Sequence, residues 1–323
     1  MKSKTILVLG GNGFIARSLV ERIKKNNVTN LNLFLIDRDI KKFKEDKINN
    51  NSIYHIKVNL QFETEINKLI RFLKNKKIKK IDEVWNLCAN SDIKISNLDN
   101  DLNNTYLSCF YSAKLFDFYK IDKYIFSSSS AIYGHSNIKL SEELLKFNPI
   151  SMYGLMKLNC EKYIKYLSNN NNCNFIILRF PNVIGPNLTH GIIFDFLAKV
   201  KKNKNTLKVL GNGEQKKPYL YVEELLEIIY KIMNLKHKSN LNIYNISPDD
   251  NGIKVKDIAR IFKQILFPNL KIKYSSNKNF GWKGDVPNYK FDIKKIKKAG
   301  IKPILSSKES IIKTLNIYKG IKK

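Results

Sequence analysis

Short apolar runs alternate with stretches of helical periodicity through the first half of the chain. Thr5–Leu9 is an unbroken run, typical of a strand buried on both faces of a parallel sheet. Further strands are predicted at Leu31–Ile36, Ile53–Val58, Asp82–Cys88, Tyr124–Phe126 and Phe175–Phe180. Helices are predicted between them at Phe14–Lys25, Phe62–Leu73, Leu98–Phe118 and Ser151–Leu167. Strands that alternate with helices predict right-handed βαβ units and a doubly wound, mostly parallel α/β sheet.

The pattern loosens in the second half of the chain. Short strands are predicted at Leu207–Leu210 and Tyr219–Val222, and a loop around Gly281–Asp285. Helices are predicted at Ile192–Lys201, Glu223–Met233, Val255–Leu266 and Ser307–Ile317. We therefore expect residues 1–180 to form the sheet-containing domain. Residues 181–323 should form mainly a smaller α/β cap, with some segments returning to the first domain.

A glycine-rich turn joins the first predicted strand to the first helix. Gly10-Gly11-Asn12-Gly13 follows the strand directly, and Ala16 is a further small residue where the helix must pack close to the sheet. Glycines allow a tight turn and let the backbone approach a pyrophosphate at the helix N-terminus. The order strand, glycines, helix favours a dinucleotide site over a plain tight turn.

The second strand ends at an acidic residue, Asp37. A carboxylate in this position accepts hydrogen bonds from an adenosine ribose, and its charge disfavours a 2′-phosphate, which favours NAD over NADP. Arg38 leaves the choice open, because its guanidinium can pair with a 2′-phosphate. The alternative for Asp37 is a helix N-cap.

The third chemical feature is a tyrosine and a lysine four residues apart. Tyr153 and Lys157 lie on one face of the helix that Pro149 and Ser151 begin. The serine-rich strand end Ser127–Ser130 lies upstream. A Tyr-x-x-x-Lys pair alone often only decorates a solvated helix, but together with the glycine turn it suggests a base held against a nicotinamide ring.

The net charge of +30 raises the question of nucleic-acid binding. Nearly all basic residues are lysines scattered along the whole chain, and the few arginines are Arg17, Arg22, Arg38, Arg71, Arg179 and Arg260. Arginine is the better reader of phosphates and base edges. We therefore interpret the charge as a compositional bias toward Lys, Asn and Ile of the kind an AT-rich genome imposes. It can still attract an anionic small substrate.

Cysteine usage and hydropathy indicate a cytoplasmic protein without a membrane span. Cys88, Cys109, Cys160 and Cys173 lack Cys-x-x-Cys spacing, which is typical of buried thiols in a reducing compartment. The four histidines show no ligand spacing either, so no metal site is expected. No apolar run reaches 18 residues, and the first strand is too short for a signal peptide.

Several segments together resemble the extended short-chain dehydrogenase/reductase family of nucleotide-sugar epimerases and dehydratases. The glycine turn is similar to the family's Gly-x-x-Gly-Phe-Ile-Gly, and Tyr153 and Lys157 match its Tyr-x-x-x-Lys. The other resembling segments are Asn86–Ala89, Ser127–Gly134, Leu178–Pro186, Gly211–Val222 and Gly281–Pro287. The resemblance covers nearly the whole chain and implies a Rossmann-type NAD-binding domain with a nucleotide-diphosphate sugar as substrate, resembling UDP-glucose 4-epimerases.

The resemblance also implies roles for individual residues. Ser129, Tyr153 and Lys157 would be catalytic. NAD would contact Gly10, Gly13, Phe14, Ile15, Asp37, Arg38, Asn59, Leu60, Leu87, Ala89, Tyr153 and Lys157. The nucleotide sugar would contact Ser91, Ser130, Asn182, His190, Lys217 and Asp285. A homodimer is implied as well, paired through the helices Leu98–Phe118 and Ser151–Leu167.

Several residues depart from the family pattern, and one departure narrows the set of reactions that the resemblance implies. Ser130-Ala131 follow the catalytic serine where 4,6-dehydratases carry an Asp-Glu pair, so water elimination is disfavoured. Lys217 replaces an arginine, which keeps the charge but loses bidentate pairing. Asn59 stands in place of an Asp, and Asp101 in place of an Asn.

Three functions therefore stay open. An NAD-dependent 4-epimerase would oxidise and re-reduce the sugar C4 through a transient 4-keto sugar. A C4 dehydrogenase or keto-sugar reductase would use the same residues and stop halfway. A non-catalytic binder of dinucleotide or nucleic acid is disfavoured by the intact Ser129, Tyr153 and Lys157.

Overall fold

A central eight-stranded sheet is the main feature of the computed structural model, which describes residues 3–90, 97–136, 138–282 and 284–321. The strands are β1 Lys4–Leu9, β2 Leu31–Asp37, β3 Lys44–Ile48, β4 Asn51–Lys57, β5 Lys80–Asn86, β6 Lys120–Ser129, β7 Asn174–Phe180, β8 Asn182–Ile184, β9 Thr206–Val209, β10 Lys216–Lys217, β11 Tyr219–Tyr221, β12 Leu241–Asn245, β13 Ile253–Lys254 and β14 Lys271–Tyr274. The helices are α1 Phe14–Lys25, α2 Glu63–Asn75, α3 Leu98–Asp101, α4 Ser108–Ser112, α5 Met152–Asn170, α6 Ile192–Lys202, α7 Val222–Met233, α8 Val255–Leu266, α9 Lys294–Lys298 and α10 Ser307–Ile321.

The strand order in the large sheet is β12-β7-β6-β5-β1-β2-β4-β3, and every neighbouring pair except β3–β4 is parallel. The order changes direction between β1 and β5, and the carboxyl ends of these strands lie at the same edge. Ligands of doubly wound sheets bind outside such a switch point. The predicted Rossmann-type fold is confirmed.

The continuous apolar sequence of β1 follows from burial on both faces. Ile6 and Val8 pack into one hydrophobic cluster, whereas Leu7 and Leu9 pack into the cluster on the opposite face of the sheet. A third cluster lies in the second half of the chain and includes Phe14 from α1. Phe14 therefore joins the cap to the helix that follows the glycine turn.

Strands β3 and β12 were not predicted. β3 is a charged edge strand that pairs antiparallel with β4 through a two-residue turn, Asn49-Asn50, with φ of +50° and +59°. Two central residues with positive φ are the geometry that two-residue hairpins prefer, and asparagine tolerates it. β12 carries alternating polar residues and joins the sheet only through its parallel pairing with β7. Its place is decided by tertiary contacts rather than by an apolar pattern.

The predicted helix Leu98–Phe118 is helical but not uniform. α3 leads into a π-helical segment, Leu102–Leu107, then α4, and finally a 3-10 segment, Ala113–Asp117. π-Helical insertions are often found at functional sites. Every helix among the described residues is too short or too polar to cross a bilayer.

Candidate active site

The glycine turn after β1 passes so close to β2 that side chains are excluded. The backbone N–H groups of Gly10 and Gly11 both donate to the Ile36 carbonyl at 2.9 Å. A Cβ on Gly11 would lie 2.8 Å from the Ile36 nitrogen, and Gly10 has a φ of +83° that glycine adopts without strain. Gly10 also approaches the end of β5, where an added Cβ would lie 3.1 Å from the Leu87 carbonyl carbon.

Gly13 begins α1 and leaves its N-terminus open. It has no side chain to cap the helix, and a Cβ here would lie 3.1 Å from the Gly10 carbonyl oxygen. Phe14 and Ile15 form the first turn, whose N–H groups and dipole favour an anion. The cradle therefore fits the pyrophosphate of a dinucleotide, and its residues are the predicted Gly10, Gly13, Phe14 and Ile15.

Asp37 ends β2 and holds the glycine turn. Its two carboxylate oxygens accept hydrogen bonds from the backbone N–H groups of Asn12 and Asp39, both at 3.0 Å. The neighbouring Arg38 donates to the Asn104 side chain of the π-helical segment. Arg38 thus has a protein partner beside the position predicted for the adenosine ribose.

A pocket of about 530 Å³ lies beside this point. It is lined by Arg38, Asp39, Lys57, Asn59, Glu65 and Lys68. Leu60 is buried directly after Asn59. The predicted adenosine residues Arg38 and Asn59 therefore come from two different strand ends and share one pocket.

The first turn of α5 holds Tyr153 at the end of β6. Ser151 caps the helix by accepting a hydrogen bond from the Gly154 N–H at 3.1 Å. A Cβ on Gly154 would lie 2.5 Å from the Ala131 carbonyl oxygen, so glycine permits this close approach. Burial raises the pKa of Tyr153 to about 12, and its hydrogen bond with Ser129 acts in the opposite direction. The predicted serine and tyrosine are therefore in contact.

Lys157 is buried one turn further along α5, with 1% of its surface exposed. Its ammonium donates to the Ser127 carbonyl at 2.5 Å and lies 3.5 Å from the Cys88 carbonyl oxygen. Burial lowers the pKa of Lys157. The ammonium is 5.9 Å from the centroid of the Tyr153 ring.

The end of β5 contributes the next residues of the site. Leu87 donates its backbone N–H to the Leu9 carbonyl at 2.9 Å, which holds Leu87 beside the glycine turn, and Ala89 follows two residues later. Asn90 is buried and donates from its side chain to Asp101 at 3.0 Å. The predicted Ser91 lies outside the described residues.

Asp101 is a buried carboxylate that acts electrostatically on Tyr153. It is fully buried at the start of the π-helical segment, and its carboxylate raises the pKa of Tyr153. Asp101 is thus one of the charged groups around the phenol.

On the cap side, Lys217 and Asp285 form a buried ion pair. The Lys217 ammonium also lies 5.0 Å from the ring centroid of Trp282. Two predicted substrate residues, more than sixty positions apart in sequence, are thus in direct contact. Part of the Lys217 charge is already compensated within the chain.

Tyr289 joins the cap to the end of β6. Its hydroxyl accepts a hydrogen bond from the Asn182 side-chain amide at 3.3 Å and is hydrogen-bonded to Ser130. Burial raises the pKa of Tyr289. Sequence reasoning missed this residue, because a single tyrosine four positions after Asp285 carries no periodic signal.

His190 lies in the loop before α6. Its Nδ1 is 3.0 Å from the Thr189 hydroxyl, a local contact within the loop. In the described ranges, no cluster of three or more His, Cys, Asp or Glu side chains is arranged to hold a metal ion.

The chain belongs to the NAD dependent epimerase/dehydratase family, whose model matches residues 6–247. NAD is the cofactor of this family, and the cradle at α1 has the residues to hold it. The nucleotide-sugar family predicted from the motifs is confirmed.

Relatives with different reactions match nearly the full chain. A putative UDP-glucose 4-epimerase from Methanocaldococcus jannaschii is 28% identical over 98% of both chains. A human dTDP-D-glucose 4,6-dehydratase is 25% identical over 98% of this chain and 90% of that protein.

Solved structures show the same fold. A UDP-galactose 4-epimerase structure has a TM-score of 0.79 at 24% identity and covers 98% of this chain and 99% of that chain. A UDP-glucuronic acid 4-epimerase from Bacillus cereus, in complex with UDP-glucuronic acid and NAD, has a TM-score of 0.79 at 21% identity and covers 98% and 99%.

Proposed function

We propose that this protein is an NAD-dependent nucleotide-sugar 4-epimerase. The observation that carries the proposal is the hydrogen bond between Tyr153 and Ser129 at the end of β6. The buried Lys157 lies one helical turn further along α5 and donates to the Ser127 carbonyl on the same strand. The full-length similarity to a putative UDP-glucose 4-epimerase supports it.

Tyr153 is the base in this proposal. Its hydroxyl takes the proton of the sugar 4-hydroxyl, while Ser129 hydrogen-bonds the same sugar oxygen and steadies it. NAD held in the cradle at α1 would supply the reversible hydride chemistry at C4 that inverts this carbon. Tyr153 then gives the proton back, so neither the cofactor nor the base is consumed over a turnover.

The raised pKa of Tyr153 sets a requirement on this chemistry. A phenol with a pKa of about 12 is a poor base near neutral pH. Positive charge near the phenol favours the phenolate. Lys157 supplies such a charge at 5.9 Å from the ring centroid, and oxidised nicotinamide is itself cationic. Tyr153 is thus expected to ionise readily only in the loaded enzyme.

The cap should bind the nucleotide sugar. We propose that residues 1–180 hold NAD and that residues 181–323 mainly form the substrate side, with Asn182, His190 and Lys217 facing the ligand together with Ser130 and Asp285. The ion pair of Lys217 and Asp285 supports this, and so do the hydrogen bonds of Tyr289 to Asn182 and to Ser130, the residue that follows β6.

A keto-sugar reductase is the second candidate. An Escherichia coli dTDP-4-dehydro-6-deoxyglucose reductase is 27% identical over 75% of both chains. In this chain, such an activity would use Tyr153 and Lys157 in the same roles, and each turnover would change the oxidation state of the cofactor.

Turnover without added cofactor separates the two candidates. Purified protein is incubated with UDP-glucose, UDP-N-acetylglucosamine or GDP-sugars and followed by proton NMR and by absorbance of reduced nicotinamide. A C4 epimer without net redox change supports the epimerase. A keto sugar that appears in step with reduced cofactor supports the dehydrogenase or reductase.

The Tyr153→Phe variant tests the base. We expect kcat to fall by about 10²–10⁴-fold, because the proton acceptor is lost while the ring still fills its place. Bound NAD, measured after denaturation, should remain. Tyr166→Phe is the matched control, because it makes the same change on α5 at a tyrosine that is 63% exposed. Turnover retained by Tyr153→Phe would contradict the assignment.

We also propose a homodimer. Phe110 on α4 is 41% exposed. Its ring packs with those of Tyr111 on the same helix, Tyr106 in the π-helical segment and Tyr163 on α5. Pairing through this surface would remove the rings from water. Light scattering should give twice the chain mass, and Phe110→Asp should give a monomer. A monomeric parent protein would refute the proposal.

A further inference from the structure

Ser128 lies between Ser127, which accepts from Lys157, and Ser129, which is hydrogen-bonded to Tyr153, but its own partner is a third residue of α5. Ser128 is buried, and its hydroxyl donates to Glu161 Oε1 at 2.5 Å. Glu161 lies on α5 one turn after Lys157, so Tyr153, Lys157 and Glu161 follow one another at four-residue intervals on one helix face. The predicted function assigns no role to this buried carboxylate.

Glu161 is held by two neighbouring strands at once. Besides Ser128 on β6, it pairs with Arg179 on β7, whose Nε lies 3.0 Å from Oε1 and whose Nη2 lies 2.6 Å from Oε2. Ser128 and Arg179 are register partners in the sheet. Two parallel N–H···O bonds between planar groups fix direction as well as distance.

The pair continues into a third strand. Arg179 donates from Nη1 to the Tyr133 hydroxyl at 2.8 Å, and Tyr133 donates to Asn245 Oδ1 at 2.8 Å. Asn245 on β12 is the register partner of Arg179. Burial raises the pKa of Tyr133 to about 12, so its phenol stays protonated and donates. A buried polar row thus crosses β6, β7 and β12 just below the candidate active site.

We propose that Glu161 is a positioning residue, which locks α5 against β6 and β7 so that Tyr153 and Lys157 stay aligned with Ser129 and the Ser127 carbonyl. The inference rests on the proposed function, because it concerns the same base and lysine. If α5 slid along the sheet, both bonds to Arg179 would break, and misplacement by about 1 Å costs about 10²-fold in rate.

Glu161 also provides the negative charge that faces Lys157. Besides Tyr153, the titratable groups around the ammonium are the thiols of Cys88, Cys109 and Cys160 and the Glu161 carboxylate. Burial raises the pKa of the Cys88 and Cys160 thiols, which therefore stay neutral. The carboxylate raises the pKa of Lys157 against the dominant effect of burial. Its removal should let Lys157 lose its proton at lower pH.

The test compares two glutamine substitutions in the same sheet. Glu161→Gln removes the charge beside Lys157. Glu83→Gln is the control, because Glu83 is also buried and paired with a lysine, Lys4, but lies on β5 away from the base. For Glu161→Gln we expect kcat to fall about tenfold or more with KM within twofold, and the alkaline limb of the kcat profile to move to lower pH. Glu83→Gln should change neither.

Two further measurements make the result decisive. If Glu161→Gln does not fold, the double variant Glu161→Gln/Arg179→Met removes both charges. A folded double variant with reduced kcat supports positioning, and one with the kcat of the parent protein refutes it.

Hydrogen exchange of Met152–Lys157 needs no turnover. Faster exchange in Glu161→Gln than in Glu83→Gln supports the inference even if the parent protein converts no nucleotide sugar, an outcome that would contradict only the proposed function. Equal exchange refutes the inference.

Discussion

The two sides of the candidate site are built in different ways. The sheet side consists of Ser127–Ser129 on β6 and Tyr153, Lys157 and Glu161 on α5, with their backbone held by long regular elements. The cap side consists of Asn182, Lys217, Trp282, Asp285 and Tyr289, which come from short strands and loops. The residues of the sheet side lie close together in sequence, whereas those of the cap side are spread over more distant segments.

We relate this difference to function: the sheet side would carry out the proton transfer, and the cap side would recognise the substrate. Groups that move a proton must keep their geometry to a fraction of an ångström, and regular elements with buried hydrogen bonds provide that. Loops can vary in length and composition without disturbing the sheet. Variants on the sheet side should therefore change kcat, and variants on the cap side should change KM.

The largest effect expected on the cap side comes from Lys217. Lys217→Met/Asp285→Asn removes both charges of the buried pair and so avoids leaving one of them alone. If the ammonium also binds the substrate anion, KM should rise about tenfold or more, since a charge-assisted hydrogen bond contributes about 1.5–3 kcal/mol. Initial rates over a range of nucleotide-sugar concentrations would show this.

Lys217→Arg is the matched control for that experiment, since it keeps the charge and should keep KM close to that of the parent protein. A double variant that lowers kcat with KM unchanged would break the division between the two sides, because a cap residue would then act on the chemical step.

A smaller effect is expected at Asp101, on the sheet side. The Asp101 carboxylate raises the pKa of Tyr153, so Asp101→Asn should lower that pKa. The phenolate is the active base, and activity rises with pH as it forms. The acidic limb of the kcat profile should therefore move to lower pH, by about one unit or less.

Asp99→Asn is the control for the Asp101 variant, because Asp99 lies on the same helix but is exposed. It should leave the profile in place. An acidic limb that stays put in Asp101→Asn, or moves to higher pH, would show that the carboxylate does not act on the phenol.

Sequence reasoning had more to work with on the sheet side than on the cap side. A helical spacing predicted Tyr153 and Lys157, a serine-rich strand end pointed to Ser127–Ser130, and the family resemblance singled out Ser129. Glu161 has the same four-residue spacing and was overlooked, although a carboxylate one turn after a buried lysine is a readable signal. Tyr289 carries no such signal, because only the fold brings it to Asn182 and Ser130.

The sequence by itself determined the apolar central strands, the helices between them and the fold class. The unbroken apolar run of β1 required burial on both faces, and the glycines at 10, 11 and 13 leave no room for side chains in a tight turn. Such features follow from periodicity and from the absence of a side chain, which are properties of neighbouring residues.

Only the tertiary structure decided the partners of the buried charges. Arg179 lies between Glu161 and Tyr133, and Asn245 completes the row although β12 has no strong strand pattern. Lys217 meets Asp285 across a loop rather than facing solvent. Buried charges are stable only when paired, and the pairing is set by which strands become neighbours in the sheet, a choice that no local stretch of sequence contains.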